Sequence, residues 1–117
     1  MPKAKNEESI FLRIDFKNGG RIGPGKIALL EAIERAGSIS GAARELGMGY
    51  RTAWLLVDSL NSMFLDPVVA TAPGRKDGAS TLTELGRSLL ATYQRMEGLT
   101  REAIEPEIKA LRRKLRR

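Results

Sequence analysis

Residues 39–58 constrain the fold more than any other part of the chain, because small and apolar side chains recur there at offsets that steric contact dictates. Counting Ile39 as the first position, the fifth is Ala43 and the ninth is Gly47. Where two short helices cross steeply, the fifth position must be small, since the two helices meet there. The ninth favours glycine, since the chain turns there. Between these anchors Ala42, Leu46, Met48, Ala53 and Leu56 fall on inward positions, and Arg44, Glu45 and Arg51 fall on outward ones. The register is that of a helix-turn-helix. An ordinary helical hairpin also wants Ala and Gly at its crossing, so the flanking elements must decide.

Upstream, Leu12, Ile14 and Phe16 alternate with Arg13, Asp15 and Lys17, the period-2 pattern of a strand with one buried face, and Asn18-Gly19-Gly20 supplies a turn. Pro24 and Gly25 lead into Ile27, Leu30 and Ile33 at helical spacing, with Gly37 where a C-cap belongs, which predicts a helix over 25–36. Ser38 or Ser40 can cap the short second helix, and a third is expected over 50–63. Downstream, residues 67–71 and 80–83 read as two short strands around a polar loop at 73–79, which together make a wing. Thr83 can cap a longer helix with Leu85, Leu89, Tyr93 and Met96 on one face, weakened near Gly98 and interrupted or kinked near Pro106. Beyond it, Ile104, Ile108, Leu111 and Leu115 recur at steps of four, three and four, heptad-like over too few turns to prove a coiled coil.

The expected fold class is therefore mainly α with a small β-wing (α+β), a winged helix-turn-helix with a long C-terminal helix. The expected division is a disordered N-terminus over 1–8, the winged domain with its N-terminal strand over 9–83, and a helical dimerisation segment with a basic tail over 84–117.

A chain of 117 residues with 42% apolar content can form one domain with a core. It has no cysteine and no histidine, which removes disulfides, zinc fingers, iron–sulfur clusters and an imidazole general base. The carboxylates are scattered among basic neighbours, so no constellation points to an enzyme, and no cofactor or metal is implied. The first eight residues are polar and no apolar run approaches the roughly 18 to 20 residues of a bilayer span, so a cytoplasmic protein is expected. Twenty Lys and Arg against fourteen Asp and Glu leave a net charge of +6, which suits a polyanion without naming one. Six of the twenty lie in 109–117, so much of the excess belongs to the tail.

In a helix-turn-helix the N-terminal part of the second helix enters the major groove and only a few side chains reach base edges. Here those are Gly49, Tyr50, Arg51 and Trp54. Arg51 can donate a bidentate pair to guanine or neutralise a phosphate. Tyr50 can place its hydroxyl on a phosphate or its ring against a thymine methyl, or simply pack. Trp54 can shoulder the DNA backbone or close the core beside the first helix. Ser38 and Ser40 stand where a hydroxyl and free backbone N–H groups can hold a phosphate, a role compatible with capping. Arg75 and Lys76 at the wing tip can reach the minor groove or lie as solvated surface.

The residues Gly37-Ser38-Ile39-Ser40, Ala42-Ala43, Leu46-Gly47-Met48, Tyr50-Arg51, Ala53-Trp54 and Leu82-Thr83-Glu84-Leu85-Gly86 resemble the N-terminal domain of the molybdate-responsive ModE regulators. The broader LysR-type DNA-binding domain shares the Gly-Ser-Ile, Ala-Ala and Leu-Thr-x-x-Gly parts. The likeness covers roughly 21–97 and implies a dimeric winged-helix transcriptional regulator. It implies DNA contacts by Ser38 and Ser40, by Tyr50, Arg51 and Thr52, and by the wing over 74–78. The family usually has a serine where this chain has Gly49, and a wing richer in glycine. Full-length members continue into an oxyanion-binding domain, and nothing here is assigned to molybdate sensing.

The leading expectation is thus a homodimer that binds a palindromic site on double-stranded DNA, its recognition helices about one turn, ~34 Å, apart. The alternative is a winged interaction module whose last helices pair it with a larger regulator. A basic amphipathic end over 104–117 also fits anionic lipid, although it is short and carries Pro106.

Overall fold

The computed structural model describes residues 8–71 and 79–116. Of the expected disordered start at 1–8, residues 1–7 lie outside these residues, as do the wing-tip residues Arg75 and Lys76, whereas Glu8 is placed and hydrogen-bonded. The order is β1 (Ile14–Asp15), β2 (Arg21–Ile22), α1 (Pro24–Ala36), α2 (Ile39–Leu46), α3 (Tyr50–Met63), β3 (Val69–Thr71), β4 (Ser80–Leu82) and α4 (Glu84–Arg112).

Helix α1 begins with proline, whose missing N–H costs nothing in a first turn, and stops at Gly37, whose N–H donates to the Ile33 carbonyl. Its face of Ile27, Leu29, Leu30, Ala32 and Ile33 is fully withdrawn from water and forms the centre of the core. Ala42 and Ala43 of α2 and Ala53, Val57 and Leu60 of α3 pack into the same core. The inward positions expected of Ala42, Leu46, Met48, Ala53 and Leu56 are all buried or half-buried, and Arg44, Glu45 and Arg51 are exposed.

Strands β3 and β4 form an antiparallel ribbon in the register Val69 with Leu82, Ala70 with Thr81 and Thr71 with Ser80. Two junctions fix this ribbon to the helices. At its base, the Asn61 side chain accepts from the N–H groups of Val68 (2.8 Å) and Val69 (3.1 Å) and donates to the Val69 carbonyl. At its inner edge, the Ser80 N–H donates to the Gly37 carbonyl (2.9 Å), and Ser38 forms a bridge with Ala79. The start of α2 and the wing are therefore tied together.

Two expectations need correction. The N-terminal strand is only two residues long and is one arm of a hairpin with β2, which was not expected because two residues carry no readable period. Phe16 does not point inward as the alternation suggests; it is partly exposed and meets the Phe64 ring edge-on at 6.4 Å. Secondly, α4 is not interrupted near Pro106 but runs through it, and through Gly98, for 29 residues. Pro106 and Glu102, whose carbonyl loses its intrahelical donor, are both exposed, so water can satisfy that carbonyl. A strap also spans the site. The Arg101 guanidinium donates to the backbone carbonyl of Glu8 (3.1 Å), and Arg112 donates a bidentate pair to the Glu8 carboxylate (2.8 and 2.6 Å). Arg112 holds the Glu8 carboxyl well below its usual range, at about 2. Further along the same strap, the buried Tyr93 donates its hydroxyl to the Leu12 carbonyl.

Only the first part of α4 enters the core, through Gly86, Leu89, Leu90 and Tyr93. The remainder projects as an arm, with Ile104 and Ile108 half-buried and Leu99 and Leu111 exposed. No helix among the described residues is long and apolar enough to cross a membrane.

Candidate nucleic-acid interface

Ser38 caps α2: its hydroxyl accepts from the Gly41 N–H at 3.0 Å, which leaves the hydroxyl proton without an acceptor among the described residues. Ser40 is exposed in the first turn of the same helix and does not cap it. Gly47 ends α2 with φ of 68°, in the left-handed region that any side chain would strain, and its N–H reaches the Ala43 and Arg44 carbonyls. The turn is therefore set by glycine and the crossing by Ala43, as the spacing requires.

Gly49 stands at the N-cap of α3 and supplies no side-chain oxygen, so the N–H groups of the first turn face outward without a side-chain cap. Tyr50, Arg51 and Thr52 occupy that turn and all are exposed, Tyr50 by 57%. Arg51 makes no hydrogen bond or ion pair with a described residue. Other arginines are engaged: Arg35 binds Glu45 at 2.6 Å, Arg13 binds Asp15 at 2.9 Å, and Arg87 donates to the Leu82 carbonyl. Arg44, exposed on α2, is likewise free of described partners.

Of the two roles open to Trp54, closing the core is the one it does not fill, for 47% of it is exposed. Leu55, which the sequence reading passed over, is 49% exposed beside it. The signal was available: Leu55 is four residues after Arg51 and so shares its outward face. Asp58, the only acidic residue of α3, follows one turn later on that face. Ser38, Ser40, Gly49, Tyr50, Arg51, Thr52 and Trp54 thus all sit on or beside the helix-turn-helix, whereas Arg75 and Lys76 lie outside the described residues. No group of three carboxylates among the described residues could hold a metal ion.

The chain is 42% identical over 102 residues to the molybdenum-pterin-binding protein MopA of Rhodobacter capsulatus, an alignment covering 85% of this chain and 38% of that protein. It is 39% identical over 87 residues to the molybdenum transport protein ModE of Azotobacter vinelandii, covering 74% of this chain and 32% of the relative. It is 31% identical over 83 residues to the DNA-binding transcriptional dual regulator ModE of Escherichia coli, covering 70% and 32%. The sequence is ModE-like. No protein-family model matches the chain. The ModE-like chain spans about a third of the length of these curated relatives. By name they are regulators and binding or transport proteins, none an enzyme.

Among solved structures, the DNA-binding domain of CbnR in complex with DNA aligns with a TM-score of 0.58 at 17% identity, covering 74% of this chain and 95% of that domain. Full-length CbnR, a LysR family transcriptional regulator, aligns with a TM-score of 0.54 at 16% identity, over 71% of this chain and 27% of CbnR. The ModE-like chain therefore has the fold of a LysR-type winged helix-turn-helix domain, mainly helical with two small sheets and a long C-terminal helix.

Proposed function

We propose that this chain binds double-stranded DNA sequence-specifically as a homodimeric transcriptional regulator. The observation that carries the reading is the outward face of α3: its first two turns present Tyr50, Arg51, Thr52 and Trp54 to solvent, with Arg51 unengaged among the described residues. A structural arginine finds a carboxylate or a helix end, and a surface face without function has little use for exposed aromatic rings.

In this reading α3 lies in the major groove and Arg51 donates to guanine O6 and N7. Tyr50, Thr52 and Trp54 meet the flanking backbone and bases, while Ser38 and Ser40 with the N–H groups of α2 bind a phosphate. Gly49 lets the backbone approach closely. Arg75 and Lys76 at the wing tip bind the adjacent groove or backbone. Residues 9–83 act as the reading domain and 84–117 as the dimerisation segment, the apolar stripe of Ile104, Ile108 and Leu111 pairing with a second copy across a two-fold. The site on DNA is then an imperfect palindrome. The basic tail adds sequence-independent attraction.

Selection from a random duplex pool at about 150 mM salt, near the physiological value, tests this directly. Enrichment of a palindrome by the wild type, lost in Arg51→Ala, is the expected outcome. A wild type that enriches nothing would overturn the reading and favour a protein partner for the α4 arm.

A further inference from the structure

We propose that Leu55 is a base-reading residue: its side chain meets the C5-methyl group of a thymine about two base-pair steps from the guanine contacted by Arg51. The inference rests on the DNA-binding reading above and deepens it, naming the second base that the helix reads.

Neither α1 nor α2 exposes a large apolar side chain, yet α3 exposes three within six residues, Tyr50, Trp54 and Leu55. The exposed apolar surface of the three-helix core is thus concentrated on the first two turns of the helix that follows Gly49. A single exposed leucine needs no explanation, but a cluster confined to one helix end does. Tyr50 and Trp54 are four apart and form an aromatic row to one side, each ring able to lie against the sugar–phosphate wall of a groove. Leu55 lies on the other side of that row, about 40° around the helix from Arg51 and about 6 Å further along it.

That offset along the helix equals roughly two base steps of ~3.4 Å. Leucine offers no hydrogen bond, so the one base-edge feature it can select is the thymine methyl, which only that base carries in the major groove. Asp58, one turn beyond on the same face, is repelled by phosphates and bounds the contact, so that Leu55 is the last residue of α3 to face the bases.

The test begins with the duplex that the wild type enriches. Each thymine is replaced in turn by deoxyuridine, which deletes the 5-methyl group and leaves all hydrogen-bonding groups intact. Affinity is measured by fluorescence anisotropy for the wild type, Leu55→Ala and Leu55→Met. One thymine per half-site is expected at which the wild type loses about fourfold in affinity, the transfer free energy of one methyl group. Leu55→Ala should be indifferent to that replacement, and Leu55→Met, which keeps the apolar contact, should still respond. A melting curve unchanged in Leu55→Ala separates lost contact from lost fold. An enriched site with no methyl-dependent thymine, or a dependence that persists undiminished in Leu55→Ala, would overturn this assignment alone. Failure to enrich any sequence would remove the DNA reading with it.

Discussion

Gly86 illustrates how one atom fixes the join between wing and arm. A Cβ at this position would lie 2.2 Å from the Val68 carbonyl oxygen. That oxygen cannot retreat: it accepts from the Thr83 N–H (2.9 Å), and the N–H of Val68 is held by Asn61. Thr83 completes the join by capping α4 through the Gly86 N–H and donating its hydroxyl to the Pro67 carbonyl (2.7 Å). Gly86→Ala is therefore expected to lower stability by about 1–3 kcal/mol, as overpacking does, read as a lower urea midpoint at unchanged slope. At Gly49 the sign reverses. Nothing lies within 4 Å of a Cβ there and the helix lacks a side-chain cap, so Gly49→Ser should raise stability by a few tenths of a kcal/mol in the same assay. The Leu-Thr-x-x-Gly pattern was visible in the sequence. The reason for its glycine was not, because the clashing oxygen lies eighteen residues upstream and meets it only through the fold.

At the scale of elements, what was legible is what is fixed locally. Pro24, Gly37, Gly47 and Gly49 punctuate α1 to α3 so firmly that the third helix has the bounds its pattern predicts, 50–63. The candidate site was legible for the same reason, since its residues follow from the helix-turn-helix register. Trp54 stayed undecided because it borders both faces of α3, and only packing assigns it to solvent. The continuity of α4 was illegible because proline signals a break locally, whereas the Glu8 strap acts from 93 residues away on one side of Pro106 and 104 on the other. That strap makes a pH prediction. The Glu8 pKa falls from 4.5 to about 2, so its contribution is present above 4.5 and is lost as pH falls toward 2. Amide exchange in the last three turns of α4 should accelerate over that window in the wild type. In Glu8→Gln exchange should already be fast above it and should not change with the strap's titration.

Considered whole, the molecule measures 56 × 30 × 21 Å and has a radius of gyration of 16.6 Å, against about 13 Å for a compact domain of this length. The excess is the arm of α4, whose apolar stripe finds no helix to pack on among the described residues. If that stripe holds two copies together, replacing Ile108 and Leu111 by Glu should give the monomer mass in sedimentation with helicity retained. Affinity for a palindrome should drop about a hundredfold, the loss expected when two linked sites become one, while affinity for a half-site is unchanged. The bidentate contact of Arg112 with Glu8 has one further consequence. It brings the two ends of the described chain to a single corner, although the path between them passes through every element of the fold. A fluorophore pair attached at positions 9 and 114 would therefore start close together and would report the opening of the arm as a loss of energy transfer.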